Sequence, residues 1–253
     1  MKIGIDARLL GSAQGGLGRY IEELICHLES LNPNAEFVIF LRKNNWDSYE
    51  PSNPKFSKVL ADIPWYGWKE QLLLPRIFSA AHVDLMHFPH WNVPLLYKKP
   101  FVVTIHDLLL LHHPTRRAST LGPIQYFIKD TIFKIVLKHA ARASAAIIAP
   151  SAYTKNDIVA TLGIAPTKIA VTYLAPHQHT PAPNTILDEQ IRASLNITKP
   201  YALYVGVSYP HKNLEMLLKA WAQFKQKYAL PHQLVLVGKK NYFYNRLLTS
   251  DAA

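Results

Sequence analysis

At 253 residues the chain can hold one large domain or two of ordinary size. Its hydrophobic content of 49% supplies a sizeable core, and its apolar runs are too short and too often broken by charge or proline to span a membrane. The net charge of +11 points to anionic partners: phosphorylated small molecules, anionic lipid or nucleic acid. No nucleic-acid motif accompanies it, which puts nucleic acid last. The charge is uneven, with a local +6 over residues 98–142 and +5 over 181–253. The single cysteine, Cys26, cannot form an internal disulfide, which fits a reducing cytoplasm, and it is expected to fill core beside the first helix. The N-terminus runs straight into a strand without a signal-peptide pattern. No Cys or His cluster has structural-zinc spacing.

Residues 1–28 read as strand, glycine-bearing loop and helix. Ile3 and Ile5, with little flanking charge, suit a strand inside a parallel sheet that ends near Asp6. Leu17, Ile21, Leu24, Ile25 and Leu28 fall at helical spacing and make one apolar face. Gly11, Gly15, Gly16 and Gly18 lie between strand and helix. Such a loop lets a ligand reach main-chain N–H groups at a helix N-terminus, at the edge of the sheet where ligands bind. Spacing alone leaves a ligand-free surface loop equally open. A dinucleotide site needs a tight turn after the first strand and an acid closing the second. Here the loop is too long, and the strand at 36–41 ends in Arg42-Lys43-Asn44, so NAD binding is disfavoured, although Arg42 and Lys43 could meet a 2′-phosphate.

Residues 42–67 are polar, proline-bearing and aromatic, with a short strand at 56–60. Exposed aromatics there suit sugar or lipid contacts, and packing onto the sheet is the favoured reading. A helix is expected over 68–78, interrupted at Pro75. Strands follow at 83–89 and 101–107, the second ending in His106-Asp107. A His- and Arg-rich loop covers 108–117, and a long helix covers 123–142, with proline in its first turn. Lys134, Lys138 and Arg142 recur every four residues and line one face, while Phe127, Ile128, Ile132, Ile135, Val136 and Leu137 supply the apolar sides. That basic face is a solvated surface or a contact for an anionic bilayer. A strand at 145–149, a helix over 152–161 capped by Ser151, and a strand at 168–172 complete the unit. Alternating strands and helices imply a parallel sheet with helices on both faces. Composition changes at 175–184, where three prolines in eight residues, Pro176, Pro181 and Pro183, mark a domain boundary. Beyond it come a helix near 187–195, a strand at 201–205, a helix at 214–228 and a strand at 233–237. Two strands and two helices look like a domain cut short.

Four stretches together carry a resemblance to the retaining, GT-B-fold glycosyltransferases of the GT4 type, the group 1 glycosyl transferases. They are Ile3-Gly-Ile-Asp-Ala-Arg8 with Gly15-Gly-Leu-Gly-Arg-Tyr20; Thr104-Ile-His-Asp-Leu108; Pro150-Ser-Ala-Tyr-Thr-Lys-Asn-Asp-Ile158; and Tyr204-Val-Gly-Val-Ser-Tyr-Pro-His-Lys-Asn-Leu214. Their order spans nearly the whole chain. The resemblance implies an α/β architecture: a Rossmann-like N-terminal domain over 1–175 on the acceptor side, a linker at 176–186, and a partial Rossmann-like nucleotide-sugar domain over 187–253. It implies transfer of a hexose, mannose among the options, from a nucleotide-sugar to a glycan or lipid-linked acceptor with retention, in cytoplasmic polysaccharide synthesis. Neither metal nor cofactor is implied; the nucleotide-sugar is a substrate.

Carried over residue by residue, His106 contacts the transferring sugar and orients donor and acceptor. Gly15, Gly16 and Gly18 approach the donor diphosphate, and Lys212 neutralises its phosphates. Arg19 and Asp107 are acceptor-side candidates. Read without the family, His106-Asp107 caps the segment that follows and Lys212 is a solvated lysine. Two departures stand out. Val207 occupies the place of an arginine common in the family, and His211-Lys212-Asn213 replaces Arg-Lys-Asn. No segment after Gly238 matches the family's Glu-x7-Glu region, so weak or absent activity is expected of this chain. The alternative is a non-catalytic acceptor-binding fragment or half of a split enzyme. Peripheral membrane contact through the basic helix 123–142 would suit a lipid-linked acceptor.

Overall fold

The computed structural model describes residues 1–11, 14–31, 33–115, 122–175 and 185–249. The chain divides into two compact units: residues 1–114 with 127–177, and residues 115–126 with 178–253. Most of the expected linker, residues 176–184, lies outside the described residues, as do Ser12, Ala13, Arg116 and Arg117.

The first unit is built on seven strands: β1 (Lys2–Asp6), β2 (Glu36–Leu41), β3 (Phe56–Leu60), β4 (Leu85–Phe88), β5 (Phe101–Thr104), β6 (Ala146–Ala149) and β7 (Ile169–Val171). All pair in parallel, in the order β3-β2-β1-β4-β5-β6-β7. The connections carry α1 (Gly15–Leu31), α2 (Trp68–Ala80), α3 (Leu109–His112), α4 (Pro123–Ala143) and α5 (Ala152–Leu162). Strand order reverses at β1, which lies between β2 and β4, so Ile5 faces both Ile39 and His87. The carboxyl ends of β1 and β4 therefore open the crevice where an open α/β sheet takes its ligand.

Period-two alternation divides the core. Val38 and Phe40 of β2 join one buried cluster with Leu74, Phe78, Met86 and Phe88. Phe37, Ile39 and Leu41 join the other with Ile5, Ile21 and Ile25. The helical face expected on α1 is the one that packs: Ile21 and Ile25 are buried, with Leu17 and Leu28 against them. Ser151 caps α5 as expected, its Oγ accepting the Thr154 N–H at 3.0 Å.

Four expectations need correction. Pro75 lies inside a continuous α2. Burial of Leu74 and Phe78, worth about 2 kcal/mol each, offsets the roughly 3 kcal/mol that an interior proline costs. Cys26 is exposed, because one residue beyond Ile25 is a 100° step away from the core-facing line of α1. The aromatics of 42–68 divide: Trp46 and Tyr49 pack against the core, whereas Tyr66 and Trp68 are exposed. The largest difference is α4. Only its second half is buried, through Val136, Leu137, Ala140 and Ala141. Phe127, Ile128, Ile132 and Ile135 are between 52% and 70% exposed, with Ile124 beside them. The basic stripe is also thinner than its spacing implies, since Lys134 pairs with Asp130 at 2.6 Å.

The second unit holds α6 (Thr185–Ser194), β8 (Tyr201–Val205), α7 (Leu214–Tyr228), β9 (Gln233–Val237) and α8 (Tyr242–Leu248). β8 and β9 pair in parallel from Tyr201↔Gln233 to Val205↔Val237. Among its described residues, Leu214 and Leu247 are the buried hydrophobics, while Leu203 and Val205 stay exposed on β8.

The glycines at the start of α1 have different reasons to be glycine. A Cβ on Gly18 would strike the carbonyl oxygens of Gly11 and Leu9, both main-chain atoms. A Cβ on Gly16 would meet nothing within 4 Å. Gly18→Ala should therefore cost about 2 kcal/mol of stability, and Gly16→Ala should add about 0.5 kcal/mol. Urea unfolding of the two variants beside the parent measures both signs.

Candidate active site

The carboxyl edge of the first unit is anchored by a buried guanidinium. Arg8, two residues beyond β1, is 2% exposed. Its Nε and Nη2 donate to the two Asp6 carboxylate oxygens at 2.8 Å, and Nη2 also donates to Glu70 Oε1 at 2.8 Å. Nη1 donates to the Ile63 carbonyl at 3.1 Å. Burial alone would depress the Arg8 pKa, but the Asp6 and Glu70 carboxylates outweigh it and raise it. Glu70, wholly buried in the first turn of α2, also accepts from Asn92 Nδ2 and from the Tyr66 N–H at 2.7 Å. Asn45 adds a second clamp. It lies in the 3₁₀ turn Lys43–Ser48, and its amide donates to the carbonyls of Ala7 and Leu10 at 3.1 Å. The exits of β1, β2, β3 and β4 are thus tied to one another by side chains.

Beside this anchor lie three histidines. His87, on β4, donates to or accepts from the Thr104 hydroxyl at 2.9 Å, and Tyr20 of α1 shares the same hydroxyl at 3.2 Å. His106 follows β5 by two residues. Its Nε2 lies 3.0 Å from the Pro89 carbonyl, which can only accept, so Nε2 carries the proton. Nδ1 is then the acceptor of a neutral ring. Burial, the leading influence, lowers the His106 pKa, against opposing effects of the Pro89 bond and Asp107. The Tyr20 ring meets the His106 ring edge-on at 4.8 Å, and the His106 carbonyl accepts from Thr154 Oγ1. Burial pushes His87 down to about 4 and His90 to about 3, with the neighbouring His106 adding to both and Arg8 to His90. His90 Nδ1 is buried and has no hydrogen-bond partner among the described residues.

The predicted residues separate into groups. His106 and the glycines belong to the first unit and Lys212 to the second. Gly15 and Gly16 are exposed at the start of α1, Gly15 with φ 64°. Gly18 is buried against the loop's own carbonyls. Arg19 is exposed on α1. Asp107 is exposed, and its Oδ1 accepts the Leu109 N–H at 3.0 Å, the capping role that the sequence also allowed. Lys212 ends the 3₁₀ turn Pro210–Lys212 and is exposed, just before α7. Close to that turn, a small cavity of about 50 Å³ is lined by Tyr209, Phe243 and Arg246 among others. Among the described residues no group of three His, Cys, Asp or Glu side chains is placed to hold a metal, and no helix is long and apolar enough to cross a membrane.

Residues 14–175 match the family model described as Glycosyltransferase Family 4. The chain belongs to glycosyltransferase family 4. Among curated proteins it is similar to the O-antigen chain mannosyltransferase RfbU of Salmonella typhimurium, with 22% identity over 191 residues, 76% of this chain and 47% of that protein. It is also similar to the O-antigen chain mannosyltransferase B of Escherichia coli, with 24% identity across 90% of this chain and 61% of that protein. Among solved structures, Anabaena Alr3699/HepE in complex with UDP and glucose superposes with a TM-score of 0.62 at 16% identity, over 98% of this chain and 63% of that one. That likeness is one of fold. The family 4 chain described here spans about half to three-fifths of the length of these curated relatives.

Sequence reasoning passed over Glu70, Asn92, Asn45 and His90. Glu70 has a local signal, an acid at the first turn of a helix whose neighbours are apolar. Its partners are distant in sequence, and no spacing pattern announces them.

The depressed histidines set a pH dependence. His87 at about 4 and His90 at about 3 lie below the 6.5 of an unfolded histidine. Between those values the unfolded chain binds protons that the folded chain refuses. Stability is complete above 6.5 and falls as pH drops, by about 1.4 kcal/mol per pH unit for each group. Urea unfolding from pH 7 down to about 4.5 reads that slope, which His90→Gln should make shallower.

Proposed function

We propose that this chain serves the transfer of a hexose, with mannose the first choice, from a nucleotide-sugar to a glycan or lipid-linked acceptor. Anomeric configuration is retained, and the setting is surface-polysaccharide synthesis at the cytoplasmic face of a membrane. The observation that carries this reading is His106: a neutral imidazole with Nδ1 as its acceptor side, at the carboxyl edge of a sheet in the doubly wound order. The names of RfbU and mannosyltransferase B support mannose, and the UDP and glucose of HepE support a nucleoside diphosphate donor.

In this reading the bond from the anomeric carbon to the diphosphate oxygen breaks, a bond to an acceptor hydroxyl oxygen forms, and the hydroxyl proton passes to the departing diphosphate oxygen, which keeps the electron pair. His106 accepts a hydrogen bond from the transferring sugar and fixes its orientation. Gly15 and Gly16, open where a Cβ would stand, leave room for the diphosphate at the start of α1. Arg19 and Asp107 border the acceptor. Lys212 offsets the negative charge that grows on the departing nucleoside diphosphate. The donor is a substrate, and no resident cofactor or metal belongs to this scheme. A second reading is acceptor binding without turnover. What favours it is the second unit, with two strands among its described residues and apolar side chains exposed on β8.

We read the outer face of α4 as the contact for an anionic bilayer, which brings a lipid-linked acceptor within reach. Ile124, Phe127, Ile128, Ile132 and Ile135 cover its first three turns, and the exposed Lys138 and Arg142 continue the same line. An apolar stripe ending in cations suits a helix lying in an anionic interface.

Calorimetric titration with UDP, GDP and their hexose conjugates tests the donor assignment. Binding that weakens about tenfold in Lys212→Ala is expected, with turnover in His106→Ala reduced about 100-fold. Binding to none of them leaves the acceptor-only reading. In a flotation assay the protein should rise with vesicles containing phosphatidylglycerol and not with phosphatidylcholine alone, and Phe127→Asp with Ile128→Asp should abolish the association. Equal flotation of that variant would remove α4 as the contact.

A further inference from the structure

Tyr66 is the most strained aromatic residue of the carboxyl edge. Its φ of 61° lies in the left-handed region, which is a genuine outlier for a bulky side chain. Gly67, which could hold that conformation without penalty, is the very next residue and instead has φ −121°. The chain thus places the cost on the tyrosine. Strain of this kind persists only where the surroundings over-determine it, and it gathers at functional sites. The surroundings here are explicit. The Tyr66 N–H donates to Glu70 Oε2 at 2.7 Å, and the wholly buried Glu70 is held by Arg8 and Asn92.

What this arrangement holds in place is a ring. Tyr66 is 56% exposed. Its ring centroid is 5.8 Å from that of Trp91, whose ring in turn lies 4.6 Å from His90. His90 directly follows Pro89, whose carbonyl accepts from His106 Nε2 at 3.0 Å. A run of rings therefore leads from the candidate catalytic histidine, through His90 and Trp91, out to Tyr66. The Lys129 ammonium lies over one face of the Tyr66 ring, 5.7 Å from its centroid, and brings hydrogen-bond donors to the outer end of the run.

We propose that Tyr66 and Trp91 form the platform on which the acceptor saccharide stacks. A pyranose ring presents a face of C–H groups that suits the negative face of an aromatic ring, while its rim of hydroxyls needs nearby donors and acceptors. Histidine rings and a lysine at the border meet the second need, and they disfavour a hydrocarbon chain, which would leave them unpaired. The platform deepens the transfer reading above and rests on it, because it identifies the ligand as the acceptor rather than the donor.

The test separates ring from backbone. Tyr66→Gly and Tyr66→Ala both delete the ring, but only glycine relieves the positive φ, so Tyr66→Gly should melt about 3 °C above Tyr66→Ala. Saturation-transfer NMR with methyl α-mannopyranoside, methyl β-galactopyranoside and N-acetylglucosamine reads saccharide binding. At least one probe should bind the parent and Tyr66→Phe, and binding should weaken about tenfold or more in both small variants and in Trp91→Ala. Parent-level binding in Tyr66→Gly, no binding of any probe to the parent, or equal melting of the glycine and alanine variants would overturn the platform. Nucleotide titration of the same samples keeps the two proposals apart. Nucleotide binding with Tyr66-independent saccharide binding sinks the platform alone, and Tyr66-dependent saccharide binding without nucleotide binding sinks the transfer reading alone.

Discussion

The guanidinium of Arg8 is the constraint on which the carboxyl edge of the first unit depends. A buried cation is tolerable only with anions at close range, and here it has two, Asp6 at the end of β1 and Glu70 on α2. The one carboxylate oxygen that Arg8 leaves over, Glu70 Oε2, accepts from both Asn92 Nδ2 and the Tyr66 main chain. The loops that follow β1, β3 and β4 therefore share one electrostatic reference point. Exits of parallel strands are ordinarily the loosest parts of such a fold. In this chain buried side-chain hydrogen bonds tie them to one another.

Packing and chemistry meet again at α1. Close approach of Gly18 to the carbonyls of Leu9 and Gly11 lets the helix settle directly on the glycine loop. Asn45 fixes the same loop from the other side through the Ala7 and Leu10 carbonyls. With the loop pinned, Tyr20 reaches across to Thr104 and presses its ring against His106. A first helix that serves as core filler on one face thereby becomes part of the site on another. The second unit is different in kind. Its two strands and the Tyr209–Phe243 contact at 4.9 Å organise the turn that carries Lys212, with little buried apolar surface behind it.

Much of the fold was legible in the residues, since strands β1, β2, β3, β8 and β9 and the helix α7 follow directly from apolar runs and helical spacing. The place of His106, just past β5, was legible through the apolar run before it. Other features were not, and each for a physical reason. Periodicity marks Phe127, Ile128, Ile132 and Ile135 as apolar, but it cannot say whether a neighbour covers them, and none of the described elements does. Pro75 reads as a break because local cost is visible in sequence and the compensating burial of Phe78 is not. Glu70 and Asn92 are 22 residues apart, and Arg8 is 62 from Glu70, so their union exists only in three dimensions. Tyr66 looked like one more loop aromatic until its backbone conformation singled it out.

The Thr104 hydroxyl has a consequence of its own. It stands between His87 Nε2 at 2.9 Å and the Tyr20 hydroxyl at 3.2 Å, and it has a single proton to give. Two orders satisfy all three groups. In one, the imidazole donates to threonine and threonine to tyrosine. In the other, tyrosine donates to threonine and threonine to the bare imidazole nitrogen. Passing from one to the other reverses every dipole in the row and switches the histidine tautomer, yet no group acquires a charge. Helix α1 and strand β4 are thus joined through the Thr104 hydroxyl by a relay that can point either way.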